Sequence, residues 1–140
     1  MKQVILIRKD LKLPKGKIAA IAAHLAVDGV LHSKKEIINK WRKLPHKVIL
    51  EVENEKELLK LAKQSTKSGL VVVAIAHYES KNMEEGTIKG RTERKEKGLT
   101  IIESYGKQAL PLSGIIGLSI GPDEEEKIDR ITKQLKLYKF

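Results

Sequence analysis

Cysteine is absent from the 140 residues, which excludes disulfides and thiolate zinc sites outright. That absence leaves the compartment open, and a reducing cytoplasm fits it best. Aromatic residues are scarce, with one Trp, three Tyr and one Phe. So few rings argue against a reader of unpaired bases, which needs stacking platforms, and for recognition of backbone and shape. Long hydrophobic runs are also missing. The apolar start, Val4 to Ile7, has charged residues close behind it; it is too short for a signal h-region, and nothing approaches a membrane span. Four histidines, His24, His32, His46 and His77, lack metal-motif spacing, so no metal is expected. These absences describe a soluble intracellular protein with a single domain over 1–140, long enough to cover a sheet on both sides.

Positive charge is what the chain has in surplus: 28 Lys and Arg against 18 Asp and Glu, a formal charge of +10. Solvated ion pairs of a Lys- and Glu-rich protein are one account of such a composition. The uneven distribution favours another, a polyanionic partner such as nucleic acid. Lys2, Arg8, Lys9, Lys12, Lys15 and Lys17 face only Asp10 in the first twenty residues, and Lys34, Lys35, Lys40, Arg42, Lys43 and Lys47 face only Glu36.

The pattern of elements alternates. Val4 to Ile7 reads as a strand buried on both faces. A loop with Lys12, Lys15 and Gly16 leads into an Ala-rich helix from about Lys15 to Val30, a layout that suits phosphate because a helix start offers free N–H groups and positive potential. Lys17, Ile21 and His24 share one stripe of that helix, and its alanines, Ala19, Ala20, Ala22, Ala23 and Ala26, let it lie close to the sheet. Ser33 with Glu36 reads as a capping box opening a second helix to about Lys43, with Ile37, Ile38 and Trp41 inward. A strand over Lys47 to Val52 follows. Asn54 with Glu57 caps a third helix through about Lys67, Gly69 closes it, and Leu70 to Ala76 is a central strand. From Tyr78 to Gln108 the pattern breaks; this segment reads as an inserted, partly mobile hairpin whose core candidate is Leu99 to Ile102. Ile115 to Ile120 makes the last strand, and Pro122 and Asp123 start a helix reaching about Gln134. Leu135 to Phe140 packs back as a tail. Strands alternating with helices predict a layered α/β domain.

The chain resembles the second, archaeal and eukaryotic class of peptidyl-tRNA hydrolases. The resemblance rests on Asp10-Leu11-Lys12 with Lys15-Gly16-Lys17-Ile18-Ala19-Ala20 and Ala23-His24, on Lys47 to Val52 with Glu55 to Leu61, and on Ser119-Ile120-Gly121-Pro122 with Ile128-Asp129 and Leu135-Lys136-Leu137. These segments occur in the family's order. They imply a three-layer α/β/α sandwich on a four-stranded mixed sheet, often dimeric, that cleaves the ester between a peptide and the 3′ end of tRNA without metal or cofactor. The chain departs from the family at Ile21, where the family has Gln, and after the third strand, where Ala76-His77-Tyr78-Glu79 stands in place of an Asp-Ala-Gly-Arg-Thr-Gln segment. Pro111-Leu112-Ser113 is what is left of its Pro-Gly-Thr or Pro-Gly-Ser.

That chemistry needs a base for water, a donor for the oxyanion and a grip on phosphates. Lys17 fits the oxyanion or a terminal phosphate, or else is a solvated helix lysine. An ungapped reading puts His77 at the family's Asp, an imidazole able to act as base; a shifted gap brings in Glu79 or Glu103. Ser113 takes the hydroxyl position, or is a turn residue, and His24 lines the pocket. Lys12, Lys15, Lys34, Lys35, Arg42 and Lys43 are the candidate phosphate contacts, with Gly16 at the helix entrance. The departures keep two other readings open, an inactive RNA-binding member of the same fold and a protein-interaction module using the insertion as its contact surface.

Overall fold

The computed structural model describes residues 1–79, 87–107 and 114–140, with the side chains of 79, 87–89, 106 and 107 outside the description. In chain order the elements are β1 (Lys2–Arg8), α1 (Lys15–Leu31), α2 (Lys35–Lys43), β2 (His46–Val52), α3 (Glu55–Lys67), β3 (Val72–Glu79), β4 (Thr87–Glu96), β5 (Leu99–Lys107), β6 (Gly114–Asp123) and α4 (Glu125–Thr132). The strands form one mixed sheet of six, ordered β2-β1-β6-β3-β5-β4. The four strands expected from the resemblance are therefore corrected to six, because the segment after β3 adds two strands at the sheet's edge.

β1 shows why both faces are covered. Val4 and Leu6 point into a core built with α3 and α4, while Ile5 and Ile7 point into a second core built with α1. Period-two alternation in a run that is apolar at every position supplies both cores at once. β1 runs parallel to β2 and antiparallel to β6, and β6 runs antiparallel to β3. The tail does fold back: the Glu51 N–H donates to the Lys136 carbonyl and the Tyr138 N–H to the Ile49 carbonyl, so it lines the outer edge of β2.

The insertion contributes a hairpin. β4 and β5 pair antiparallel, and β5 pairs parallel with β3. Glu96 opposes Leu99, and the two residues between them, Lys97 and Gly98, have φ of 50° and 83°. Positive φ at both central positions is the two-residue turn that matches strand twist. Ile101 and Ile102 are buried, as the apolar core of this segment led one to expect.

Helix ends agree in one case and differ in others. Asn54 caps α3, its side chain accepting from the Glu57 N–H at 3.0 Å, and Gly69, at φ 77°, follows the helix in the left-handed region. Ser33 does not cap α2. Its hydroxyl donates to the Gly29 carbonyl at 2.8 Å and so satisfies the end of α1, leaving Lys34 at the α2 N-cap. Pro122 and Asp123 belong to β6 rather than to the last helix, which begins at Glu125. Of the five alanines expected against the sheet, only Ala22 and Ala26 are buried; Ala19, Ala20 and Ala23 are exposed.

Candidate active site

α1 descends along the sheet. It starts where β1 ends, and its other end meets the beginning of β1: a Cβ at Gly29 would collide with Ser119 Oγ and Gln3 Nε2, so only glycine lets the helix settle there. Gln3 Nε2 then donates to the Ala26 carbonyl at 2.9 Å and to Ser119 Oγ at 3.1 Å, pinning that end.

The hairpin widens the sheet beyond α1 and leaves a trough of about 260 Å³ between them. One wall is the helix stripe Lys17, Ile21, His24 and Asp28, at i, i+4, i+7 and i+11. The floor comes from Ile75 and His77 of β3, Ile102 and Ser104 of β5 and Ile116 of β6, with Arg91 of β4 at the side. The fold thus brings His77, distant in sequence, to Lys17 and His24 of α1, three residues that sequence reasoning singled out. His77 is almost fully buried, and its Nδ1 lies 3.0 Å from Ser104 Oγ. That contact fixes the ring's orientation across the β3–β5 pair, where His77 and Ser104 stand in register.

Glu103 is corrected. It stands opposite Ala76, so pleating turns it to the other face of the sheet from His77. There Tyr105 donates to it at 2.6 Å and Arg94 pairs with it. The Tyr105 hydroxyl first, and the Arg94 guanidinium second, hold its carboxyl below the usual range. Glu79 ends β3, with its side chain outside the described residues, and Ser113 lies outside them altogether.

The cationic residues separate into three places. Lys17 stands in the trough. Lys12 and Lys15 line a second basin of about 460 Å³ together with Lys9, Lys136 and Lys139. Lys34, Lys35, Arg42 and Lys43 are exposed on or beside α2. Gly16 lies in the first turn of α1, with open space around its Cα, and that turn carries no acid and no side-chain cap. The helix start therefore keeps its free N–H groups and positive potential with no acid in its own turn. Arg8 closes the nearby loop by holding Asp10 at 3.0 and 2.9 Å, which lowers the Asp10 pKa.

Three lining residues escaped sequence reasoning: Asp28, Arg91 and Ser104. Arg91 and Ser104 carry no local signal, because only strand register brings them here. Asp28 was detectable, since it continues the stripe of Lys17, Ile21 and His24 by one more turn.

Residues 1–138 match the family model described as Peptidyl-tRNA hydrolase PTH2. The chain belongs to this family. Among its relatives are a peptidyl-tRNA hydrolase of Nanoarchaeum equitans, 36% identical with 99% of each chain covered, and one of Methanothermobacter thermautotrophicus, 34% identical with 98% of this chain and 99% of the relative covered. A third, from Thermococcus onnurineus, is 35% identical over 97% of this chain and 96% of its own.

Proposed function

We propose that this chain, as one domain over 1–140, hydrolyses the ester between peptide and tRNA in peptidyl-tRNA, and that the trough beside α1 is where it does so. The observation that carries the reading is the meeting of Lys17, His24 and His77 in one pocket of a family member. Lys17 donates to the carbonyl oxygen as negative charge develops on it. His77, oriented by Ser104, takes a proton from the attacking water, a role open to an imidazole. Glu79 and Ser113 are the reserve base and hydroxyl. Ile21 leaves the wall apolar where the family offers Gln, which moves the polar work to the ends of the pocket.

tRNA phosphates lie over the basin of Lys12 and Lys15 and the entrance at Gly16, with Lys34, Lys35, Arg42 and Lys43 as outer contacts. No helix among the described residues is long and apolar enough to cross a membrane; a cytoplasmic place follows from the substrate. A homodimer is supported by the resemblance and by an outward stripe on α1, where Ala23 is followed by Val27 at 58% exposed and Leu31 at 71%.

The test is release of labelled peptide from N-acetylaminoacyl-tRNA at low salt, with His77→Gln beside the wild type. Turnover that falls about a hundredfold or more in a folded His77→Gln variant supports imidazole as the base. Tight tRNA binding without turnover by the wild type overturns the hydrolase reading.

A further inference from the structure

Among the described residues Asp28 is the one acid lining the trough, and it is only 3% exposed. Arg91 pairs with its Oδ1, while Oδ2 meets no hydrogen-bond donor among the described residues. A buried carboxylate oxygen left in that condition is costly, and a donor brought by a ligand relieves the cost. The surrounding wall is apolar, made by Ala20, Ile21, Ile75 and Ile102.

Position along the trough says which part of a substrate reaches it. Ile7 and Ile75 both stand opposite Gly117, and His77 lies two residues further toward the end of the sheet from which β1 enters α1. Lys17 is in the first turn of α1 at that same end. Asp28 lies eleven residues further down the helix, about 16 Å along its axis. Lys17 and the carboxylate therefore stand at opposite ends of the helix wall, Arg91 reaches Asp28 from the strand row it shares with Ser104 and His77, and the basin of lysines adjoins the Lys17 end.

We infer that Asp28 and Arg91 form a subsite for the backbone of the peptide carried on the tRNA, a proposal that rests on the hydrolase reading above. Phosphates are drawn to the lysine basin and repelled by the carboxylate, so the nucleic acid leaves the trough on the Lys17 side. The acyl group then extends down the apolar wall. A peptide unit offers one N–H and one C=O per residue. Asp28 Oδ2 accepts the N–H, and the Arg91 guanidinium, half-exposed and rich in donors, serves the carbonyl. The subsite begins beyond the esterified residue and makes the enzyme sensitive to peptide length. Since Arg91 comes from β4, the outer strand of the inserted hairpin contributes specificity, while its inner strand supplies the Ser104 that orients His77.

The test compares two substrates on one tRNA, an N-acetylaminoacyl ester and an N-acetyltripeptidyl ester ending in the same residue. The wild type is expected to show a KM about tenfold lower for the longer substrate, as one charge-assisted hydrogen bond allows. In Asp28→Asn the KM ratio between the two falls toward one while their kcat values stay equal to each other. Arg91→Gln, on the edge strand, is expected to collapse the same ratio, which keeps the test decisive if Asp28→Asn fails to fold. Losses in proportion on both substrates, or a ratio kept by either folded variant, overturn the subsite. Equal KM values in the wild type overturn it as well and leave the hydrolase reading standing; turnover of neither substrate overturns both.

Discussion

Two concavities flank the start of α1, and they differ in kind. The basin gathers Lys9, Lys12, Lys15, Lys136 and Lys139 around a single acid, Glu51. The trough is lined by four isoleucines and an alanine, with Lys17, His24, His77 and Ser104 set singly among them and the Asp28–Arg91 ion pair at the far end of the helix wall. Crowded cations in water attract a polyanion without demanding a geometry. Isolated polar groups against an apolar wall act in a lower dielectric and each counts for more. On the proposed reading, one helix divides a substrate that is half nucleic acid and half peptide, its exposed start toward phosphate and its inner stripe toward the acyl group.

That division is easiest to break at Lys17. Lys17→Ala is expected to lower kcat about a hundredfold or more, the usual cost of one oxyanion donor, while tRNA affinity measured by filter binding changes little. Equal losses in both quantities would return Lys17 to the basin's side of the comparison. A double Lys12→Ala, Lys15→Ala variant should do the opposite. Binding at low salt weakens about tenfold and the slope of log affinity against log salt falls by about two, with kcat at saturating substrate unaltered. A fall in saturated kcat there would show that the two concavities are one site.

A smaller effect sharpens the trough's outer boundary. The hairpin is tied to α1 twice, by Arg91 with Asp28 and by His32, whose Nε2 lies 2.8 Å from Glu93 and whose Nδ1 lies 2.7 Å from the Asp28 carbonyl. Partial burial pulls the His32 pKa down, but the Asp28 carbonyl and the Glu93 carboxylate together outweigh it and raise the pKa above its ordinary 6.5. A raised folded-state pKa means that this stabilisation is complete below pH 6.5 and is lost as pH rises through the higher folded value. Thermal midpoints of wild type and His32→Gln should therefore differ at pH 6 and converge toward pH 9, by the small amount a largely exposed pair supplies. The smallest expected effect belongs to Glu103→Gln. Facing the other side of the sheet, it should leave kcat/KM within about twofold, and a loss on the scale of a missing general base would contradict the face assignment.

Much of the fold was legible because local chemistry and global place agreed. Val4 to Ile7 is apolar at every position and is buried on both faces; Asn54 sits three residues before Glu57 and caps α3. Misreadings arose where one local signal served a different neighbour. Ser33 with Glu36 has the spacing of a capping box, yet the Ser33 hydroxyl turns back to close α1. β4, Thr-Ile-Lys-Gly-Arg-Thr-Glu-Arg-Lys-Glu, shows little apolar alternation because it is an edge strand whose described side chains are exposed. Its existence follows from pairing with β5 rather than from its own composition. The site divides the same way. Lys17 and His24 share a helix stripe visible in the spacing, whereas Ser104 and Arg91 reach His77 and Asp28 only through register, and one residue of strand parity puts Glu103 on the other face of the sheet from His77.

The place of β6 has a consequence for how the chain is made. It lies between β1 and β3, so residues 114–123 bridge strands that leave the ribosome far earlier. Until they emerge, β1 can pair only with β2 and β3 only with β5, each offering an open edge where the centre of the sheet will be. Contacts of such long sequence separation form slowly. The sheet therefore closes only once residues 114–123 are synthesised, and a nascent chain cut short before residue 114 keeps two unjoined half-sheets prone to pairing with other strands.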